Sequence, residues 1–188
     1  MLTTLVWIGV VGFPTSEILL AVFKRARANA AALADRGSMR LLWIVISLSV
    51  AAAIVLQGVR AGRLLVSASV LYAVALSLIL AGLVVRWVAI LTLGRLFTVN
   101  VAIHAGHALV QRGVYRCIRH PSYAGLLLAF LGLGVFFSNW LSILALVVPI
   151  TLAILNRIRK EEAALLAALG EPYASYCRRT KRILPGVL

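Results

Sequence analysis

Long apolar segments separated by short basic ones constrain the fold of this chain more than any other feature. The longest runs from 64 to 93 and contains a single charged residue, Arg86. A helix of about twenty apolar residues can span the hydrocarbon core of a bilayer, because its backbone hydrogen bonds are satisfied internally. Hydrophobic residues make up 63% of the 188 positions, well above their share in soluble domains. The sequence therefore predicts an all-α integral membrane protein.

Five segments are predicted to be transmembrane helices. They are 2–23, 41–57, 64–93, 123–137 and 139–156. The last two are joined by the uncharged turn residues Ser138 and Asn139, so we expect them to form a tight helical hairpin. We interpret the first segment as a retained helix, because no basic region precedes it as in a cleaved signal peptide. The whole chain, 1–188, is thus predicted to be a single membrane domain.

Basic residues outnumber acidic ones and cluster at the ends of the apolar segments. Lys and Arg total 19 against 5 Asp and Glu, which gives a net charge of +14. By the positive-inside rule, the segments 24–40, 94–122 and 157–188 face the cytoplasm and the N-terminus lies outside. We expect these residues to contact anionic membrane lipids and not nucleic acid, whose binding requires a basic soluble face. The Ala- and Arg-rich composition indicates a bacterial inner membrane.

Polar side chains concentrate in the segment 107–123, between apolar segments. It holds two histidines, two tyrosines and three arginines. Because this segment leads into the predicted hairpin and 157–162 follows the hairpin, we expect the two to meet at the cytoplasmic surface. Arg157 and Glu161 lie four positions apart and share one face of a continuing helix. That spacing suits an ordinary ion pair at a helix end as well as a ligand site.

Further charged residues near these segments are candidates for ligand contacts. The adjacent Glu161 and Glu162 suit a ligand that carries hydroxyl groups or a positive charge. Arg119 can clamp a carboxylate or phosphate, and Pro121 holds the residue before it in an extended conformation. Glu17, inside the first apolar segment, is either a buried contact point or a side chain that reaches the interface.

Several residues also fit purely structural roles. Tyr115 and Tyr123, like Arg86 beside Trp87, are typical of interfacial anchors. The three histidines lack the spacing of metal ligands on a regular helix, so no metal site is predicted. The two cysteines are interpreted as free thiols.

Two blocks of sequence carry a family resemblance. The first comprises His107 to Val110, Gly113 to Tyr115 and Arg119 to Tyr123, and the second comprises Arg157, Glu161, Glu162, Leu165, Gly170, Tyr173, Tyr176 and Arg182. In this order and spacing, the chain from about Arg86 to Pro185 resembles the isoprenylcysteine carboxyl methyltransferase family, which is related to the phospholipid N-methyltransferases. The Arg-His-Pro element alone is not specific, since membrane sterol reductases carry a similar one.

The resemblance implies an S-adenosylmethionine-dependent methyltransferase, of the carboxyl O-methyltransferase type. The cofactor would bind at the cytoplasmic face. A lipophilic small molecule or lipidated substrate, such as an isoprenylcysteine-type carboxylate, would enter from the bilayer. The implied catalytic residues are Arg157, which also binds the acceptor, and Glu161. The implied cofactor-binding residues are His107, Leu109, Val110, Gly113, Tyr115, Arg119, His120, Pro121, Ser122, Tyr123, Glu161 and Glu162. Asn100 falls near a further cofactor-contacting position.

The acceptor stays open between a carboxylate and an amine, and between a prenylated molecule and another lipid. Transfer to a carboxylate requires alignment and exclusion of water but no general base. A protonated amine would have to lose a proton to Glu161, Glu162 or His120. Two alternative functions account for less of the sequence: a sterol-type membrane reductase that uses NADPH, and a non-catalytic membrane scaffold or small transporter.

Overall fold

The computed structural model describes residues 12, 15, 30–94 and 109–183. Within 30–94 and 109–183 the chain is helical, apart from short connections that include two 3₁₀ turns and two isolated β-bridges. The five helices there are α1 (Ala30–Leu56), α2 (Ala68–Leu93), α3 (Pro121–Phe136), α4 (Trp140–Leu169) and α5 (Glu171–Arg179). Apart from Gly12 and Thr15, the predicted first transmembrane segment with Glu17 lies outside the described residues, as do the predicted site residues Asn100 and His107.

α1 begins at Ala30, so most of segment 24–40, which connects the first two predicted transmembrane segments, is helical. The alanines at its start are strong helix formers. Three helical stretches are long and apolar enough to cross a membrane, namely Gly37–Leu56, Ala68–Leu93 and Trp140–Leu169. α3 is apolar but shorter, with 16 residues. These features confirm an integral membrane protein whose described part is built from helices.

α2 and α3 pack against each other with their backbones in close contact at two glycines. A Cβ atom added to Gly82 would lie 2.5 Å from the carbonyl oxygen of Gly125, and one added to Gly125 would lie 2.5 Å from that of Gly82. Small residues permit such close helix contact in membranes. The contact brings the last turns of α2 beside the first turn of α3. α1 and α3 both pack against α4, whose inward residues Leu146, Ile150 and Ile154 are fully buried.

One end of the helix bundle is closed by Asn139, in the three-residue connection between α3 and α4. Its buried amide Nδ2 donates hydrogen bonds to the carbonyl oxygens of Leu56 and Val59, each at 2.9 Å. Its Oδ1 accepts a 2.9 Å hydrogen bond from the backbone N–H of Leu141 and thereby caps α4. The α1–α2 connection and the α3–α4 connection are therefore fastened to each other.

The opposite end of the bundle carries the polar segment and the C-terminal segment. The two run side by side: the N–H groups of Arg119 and His120 donate to the carbonyl oxygens of Lys181 and Arg182, at 2.7 and 2.9 Å. The N–H of Lys181 in turn donates to the carbonyl oxygen of Cys117, at 3.2 Å. The C-terminal segment thus packs directly on the residues that precede α3.

Candidate active site

The centre of the polar end is a chain of hydrogen bonds through Tyr123, in the first turn of α3. Arg157 donates its Nε–H to the Tyr123 hydroxyl oxygen at 2.7 Å. The hydroxyl donates its own proton to Oε2 of Glu161, at 3.1 Å. α4 continues through both Arg157 and Glu161, one turn apart, so the prediction that they share a helix face is confirmed. The side chain of Arg157 is only 2% exposed.

The guanidinium of Arg157 is also held from α1. Its NH1 group donates to Oγ of Ser38 at 3.0 Å, and Ser38 is 3% exposed. A buried guanidinium is costly unless its N–H groups are hydrogen-bonded, and these two contacts help to satisfy it. Ser38 is therefore part of the site although the sequence placed it in a linker, where a lone serine gives no signal of such a role.

Glu162 takes part in a separate ion cluster with the polar segment and the C-terminal segment. Its Oε1 lies 3.0 Å from Nε of Arg119 and 3.4 Å from Nε2 of His120. Its Oε2 accepts a 2.9 Å hydrogen bond from Nε of Arg182, and this bond raises the pKa of that arginine. Both carboxylate oxygens of Glu162 are thus engaged by cations of the chain itself. Adjacent residues on an α-helix point about 100° apart, so Glu161 and Glu162 face different surroundings.

Arg119 ties the C-terminal segment more firmly to the site. Its NH1 group donates to the carbonyl oxygen of Cys177 at 3.0 Å and to that of Thr180. Through these contacts Arg119 links three elements: the segment before α3, the end of α4 by way of Glu162, and the residues at the end of α5.

Two buried tyrosines form the wall next to this cluster. The hydroxyl of Tyr176 donates to the carbonyl oxygen of Tyr115 at 2.7 Å. Burial, reinforced by the charge of Glu161, raises the pKa of Tyr115. Burial also raises the pKa of Tyr176 to about 12. Both phenols therefore stay protonated at neutral pH and act as hydrogen-bond donors and apolar surface, not as bases.

Arg86 supports the start of α3 from α2. Its NH1 group donates to Oγ of Ser122 at 2.8 Å and to the Ser122 carbonyl oxygen at 3.2 Å, and the residue is 8% exposed. The interpretation of Arg86 as an interfacial anchor is therefore wrong, because its charge is directed at the neighbouring helix. A charged residue inside a membrane helix is itself a signal of such a role.

Two buried polar atoms near the carboxylates form no hydrogen bond of good geometry among the described residues. They are Nε2 of His120, whose 3.4 Å contact with Oε1 of Glu162 lacks that geometry, and the hydroxyl of Tyr173. Tyr173 is 2% exposed, and its pKa is raised by burial and further by nearby charges that include Glu162 and Glu161. A buried polar group without a partner costs free energy. Two such groups beside a carboxylate are suited to a polar ligand.

The structure thus brings together most of the predicted site residues that it describes. Those in mutual contact or beside one another are Tyr115, Arg119, His120, Pro121, Ser122, Tyr123, Arg157, Glu161 and Glu162. Leu109 and Val110 are half-buried and precede the turn that begins at Gly113, whose φ of +58° suits glycine. Within the described ranges, no group of three or more His, Cys, Asp or Glu side chains is placed to hold a metal ion.

Comparison with known proteins identifies relatives of this site. The sequence model of the isoprenylcysteine carboxyl methyltransferase family matches residues 73–167. Protein-S-isoprenylcysteine O-methyltransferase B of Arabidopsis thaliana is 36% identical over 114 residues, which cover 60% of this chain and 58% of the plant protein. The Schizosaccharomyces pombe protein-S-isoprenylcysteine O-methyltransferase is 31% identical over 113 residues, covering 59% of this chain and 48% of the yeast protein.

A solved structure shares the architecture as well. The structure of the eukaryotic intramembrane Ras methyltransferase, an isoprenylcysteine carboxyl methyltransferase, superimposes with a TM-score of 0.61 at 27% sequence identity. The match covers 77% of this chain and 52% of that chain. The match therefore spans about half the length of these relatives, between 48% and 58%. The matched residues 73–167 include Tyr123, Arg157 and Glu161, but not Ser38.

Proposed function

The chain belongs to the isoprenylcysteine carboxyl methyltransferase family, and from this premise we propose that it is a membrane methyltransferase. It transfers the methyl group of S-adenosylmethionine to the carboxylate of a lipophilic acceptor, of the isoprenylcysteine type, at the cytoplasmic face. The observation that carries the proposal is the Tyr123 hydroxyl between Arg157 and Glu161. This hydroxyl links the buried cation of Arg157, which suits an acceptor carboxylate, with the carboxylate of Glu161, which suits the cofactor.

The residues present fit S-adenosylmethionine. When bound, the cofactor supplies an electrophilic methyl group on a positively charged sulfur. Glu161 offers a carboxylate to its cationic or hydroxyl groups. The buried Nε2 of His120 and hydroxyl of Tyr173, which form no hydrogen bond of good geometry among the described residues, offer further hydrogen bonds. The rings of Tyr115 and Tyr123 supply buried aromatic surface beside Glu161.

The proposed cofactor-binding set follows the sequence prediction, with a division of roles. Residues proposed to contact the cofactor are His107, Leu109, Val110, Gly113, Tyr115, His120, Pro121, Ser122, Tyr123 and Glu161, and Asn100 is a further candidate. Arg119 and Glu162 are proposed to support the site without contacting the cofactor, because their charged groups bind each other at 3.0 Å. In this arrangement the two hold His120 in place.

Arg157 is proposed to orient the acceptor. A carboxylate with a pKa of about 4 is already ionised at neutral pH, so it needs no general base before it attacks the methyl group. What the chain must supply is alignment of the carboxylate with the methyl group and exclusion of water. The buried guanidinium of Arg157 supplies a rigid positive charge for that alignment.

We also propose how the chain lies in the membrane. The exposed basic residues at the polar end include Arg112, Arg116, Arg159, Lys160, Arg178 and Arg179. The opposite end carries Arg60 and Arg63 in the α1–α2 connection. This asymmetry supports a site at the cytoplasmic face and an N-terminus outside. In the proposed arrangement α3 and α4 form a hairpin and are the last two of five membrane crossings in a single domain, 1–188. The setting we propose is a bacterial inner membrane.

A binding and transfer experiment tests the function. The purified protein in lipid nanodiscs is titrated calorimetrically with S-adenosylmethionine, its demethylated product and NADPH. It is then incubated with methyl-labelled S-adenosylmethionine and N-acetyl-S-farnesylcysteine. We expect the first two ligands to bind and a labelled product to form. The product should release labelled methanol in alkali, because a methyl ester is hydrolysed there whereas an N-methyl group is stable.

Each other outcome contradicts the proposal in a recognisable way. Binding of NADPH without the other two ligands would indicate the reductase. Binding of none would favour a scaffold or transporter. Transfer of alkali-stable label to an amine lipid would support methyltransferase activity but contradict a carboxylate as the acceptor.

A further inference from the structure

α1 reaches the acceptor side of the site through Ser38. The side chain is 3% exposed, and its Oγ accepts a 3.0 Å hydrogen bond from NH1 of Arg157. Ser38 lies outside the residues 73–167 that match the family. The contact therefore joins a part of the chain that the family match does not cover to the arginine proposed to orient the acceptor.

Two hydrogen bonds from different N–H groups fix the plane of a guanidinium. The first joins Nε of Arg157 to the Tyr123 hydroxyl at 2.7 Å, and the second joins NH1 to Ser38. The guanidinium is planar and rigid, so two bonds that come from α3 and α1 determine both its position and its rotation. Ser38 is the contact through which α1 helps to fix that orientation.

We infer that Ser38 is a positioning residue that sets the orientation in which Arg157 meets the acceptor carboxylate. The inference rests on the proposed function and deepens it, because it assigns part of the acceptor recognition to α1. Ser38 acts on the acceptor through Arg157. Its effect should therefore fall on the acceptor carboxylate and not on the cofactor, which is proposed to meet Glu161 beyond Tyr123.

Ser49 offers a matched control on the same helix. It is a buried serine of α1, 4% exposed. It lies eleven positions along the helix from Ser38, about 16 Å by the rise of an α-helix. Ser49→Ala therefore reports what loss of a buried hydroxyl from α1 costs the fold, whereas Ser38→Ala adds the loss of the contact with Arg157.

The experiment compares wild type with Ser38→Ala, Ser38→Thr and Ser49→Ala in nanodiscs. For each we measure the Kd for S-adenosylmethionine, and kcat and KM for N-acetyl-S-farnesylcysteine. Inhibition by the free acid and by the amide of a non-reactive farnesylcysteine analogue is measured as well. Loss of a hydrogen bond to a charged group should lower kcat/KM for the acceptor about ten-fold in Ser38→Ala. The ratio between acid and amide inhibition should fall with it, while the cofactor Kd stays as in wild type.

The hydroxyl-retaining and control variants decide between positioning and packing. Ser38→Thr should restore most of the activity, and Ser49→Ala should keep the acid-to-amide ratio of wild type. Equal losses of kcat/KM in Ser38→Ala and Ser49→Ala, or an unchanged acid-to-amide ratio in Ser38→Ala, would overturn the inference. In that case the activity of the wild type would still support the proposed function. A wild-type protein that binds no S-adenosylmethionine would instead overturn the proposed function, and the inference with it.

Discussion

Tyr123→Phe removes one oxygen atom from the centre of the site and leaves the ring in place. The lost hydroxyl accepts from Nε of Arg157 at 2.7 Å and donates to Glu161 at 3.1 Å. Both partners carry a charge, and a hydrogen bond to a charged group contributes about 1.5–3 kcal/mol. The substitution therefore removes about 3–6 kcal/mol of interaction before any rearrangement.

Rearrangement recovers part of that loss. Arg157 and Glu161 are one turn apart on α4, so their side chains can approach each other once the hydroxyl is gone. Such a direct pair would neutralise the buried guanidinium but draw it away from its contact with Ser38. We expect a net loss of about 2–3 kcal/mol in transition-state stabilisation, which corresponds to a decrease of about 30- to 150-fold in kcat/KM.

The assay is methyl transfer to N-acetyl-S-farnesylcysteine, with the S-adenosylmethionine Kd and the thermal unfolding temperature measured in parallel. Tyr72→Phe is the matched control, because Tyr72 is a half-buried tyrosine of α2 whose ring packs on Phe136. It should retain wild-type activity. If Tyr123→Phe kept at least half of the wild-type kcat/KM, or lost no more than Tyr72→Phe, the hydroxyl would not couple the two charged residues.

Three further substitutions test the other contacts. Glu162→Gln should weaken the partly buried ion cluster, so that amide hydrogens of the C-terminal segment exchange faster and S-adenosylmethionine binds more weakly. Glu171→Gln, which breaks an exposed ion pair, should change neither. Gly82→Ala should lower stability by about 1–3 kcal/mol in thermal unfolding, because the added Cβ meets the backbone of α3. Gly37→Ala has open space and should leave stability equal or higher. Asn139→Ala should lower the unfolding temperature without a change in cofactor Kd, and a weakened Kd would contradict the separation of the two ends.

Part of the site could be predicted from the sequence because it depends on regular helix geometry. The four-residue spacing of Arg157 and Glu161 places them on one face of any continuous helix, and α4 does continue to Leu169. The same geometry separates Glu161 from Glu162, since adjacent helical residues diverge by about 100°. The two acids therefore need not share the role of cofactor ligand, although the sequence resemblance implies that role for both.

The remaining contacts depend on which helices pack together, and no local pattern encodes that. Ser38 reaches Arg157 because α1 packs along α4. Arg86 reaches Ser122 because α2 and α3 meet at Gly82 and Gly125. A small residue in an apolar segment indicates that some helix can come close, but not which one. The sequence alone therefore does not distinguish an interfacial anchor from a helix–helix contact at Arg86.

α4 sets the register of the whole site, because its last turns serve three purposes at once. Arg157, proposed to orient the acceptor, contacts α1. Glu161 reaches Tyr123, and Glu162 holds the polar segment and the C-terminal segment. A rotation of α4 by a single residue, about 100°, would withdraw all three side chains from their partners together. At its other end α4 is capped by Asn139, whose amide is bonded to the α1–α2 connection. The cap fixes the start of the helix. Beyond Pro149, which lacks a backbone N–H, the buried side chains of Ile150 and Ile154 keep α4 in the same rotation against its neighbours. Placement of the charges at the polar end thus depends on how α4 packs against α1 and α3, while the clamp at the opposite end stabilises the bundle as a whole.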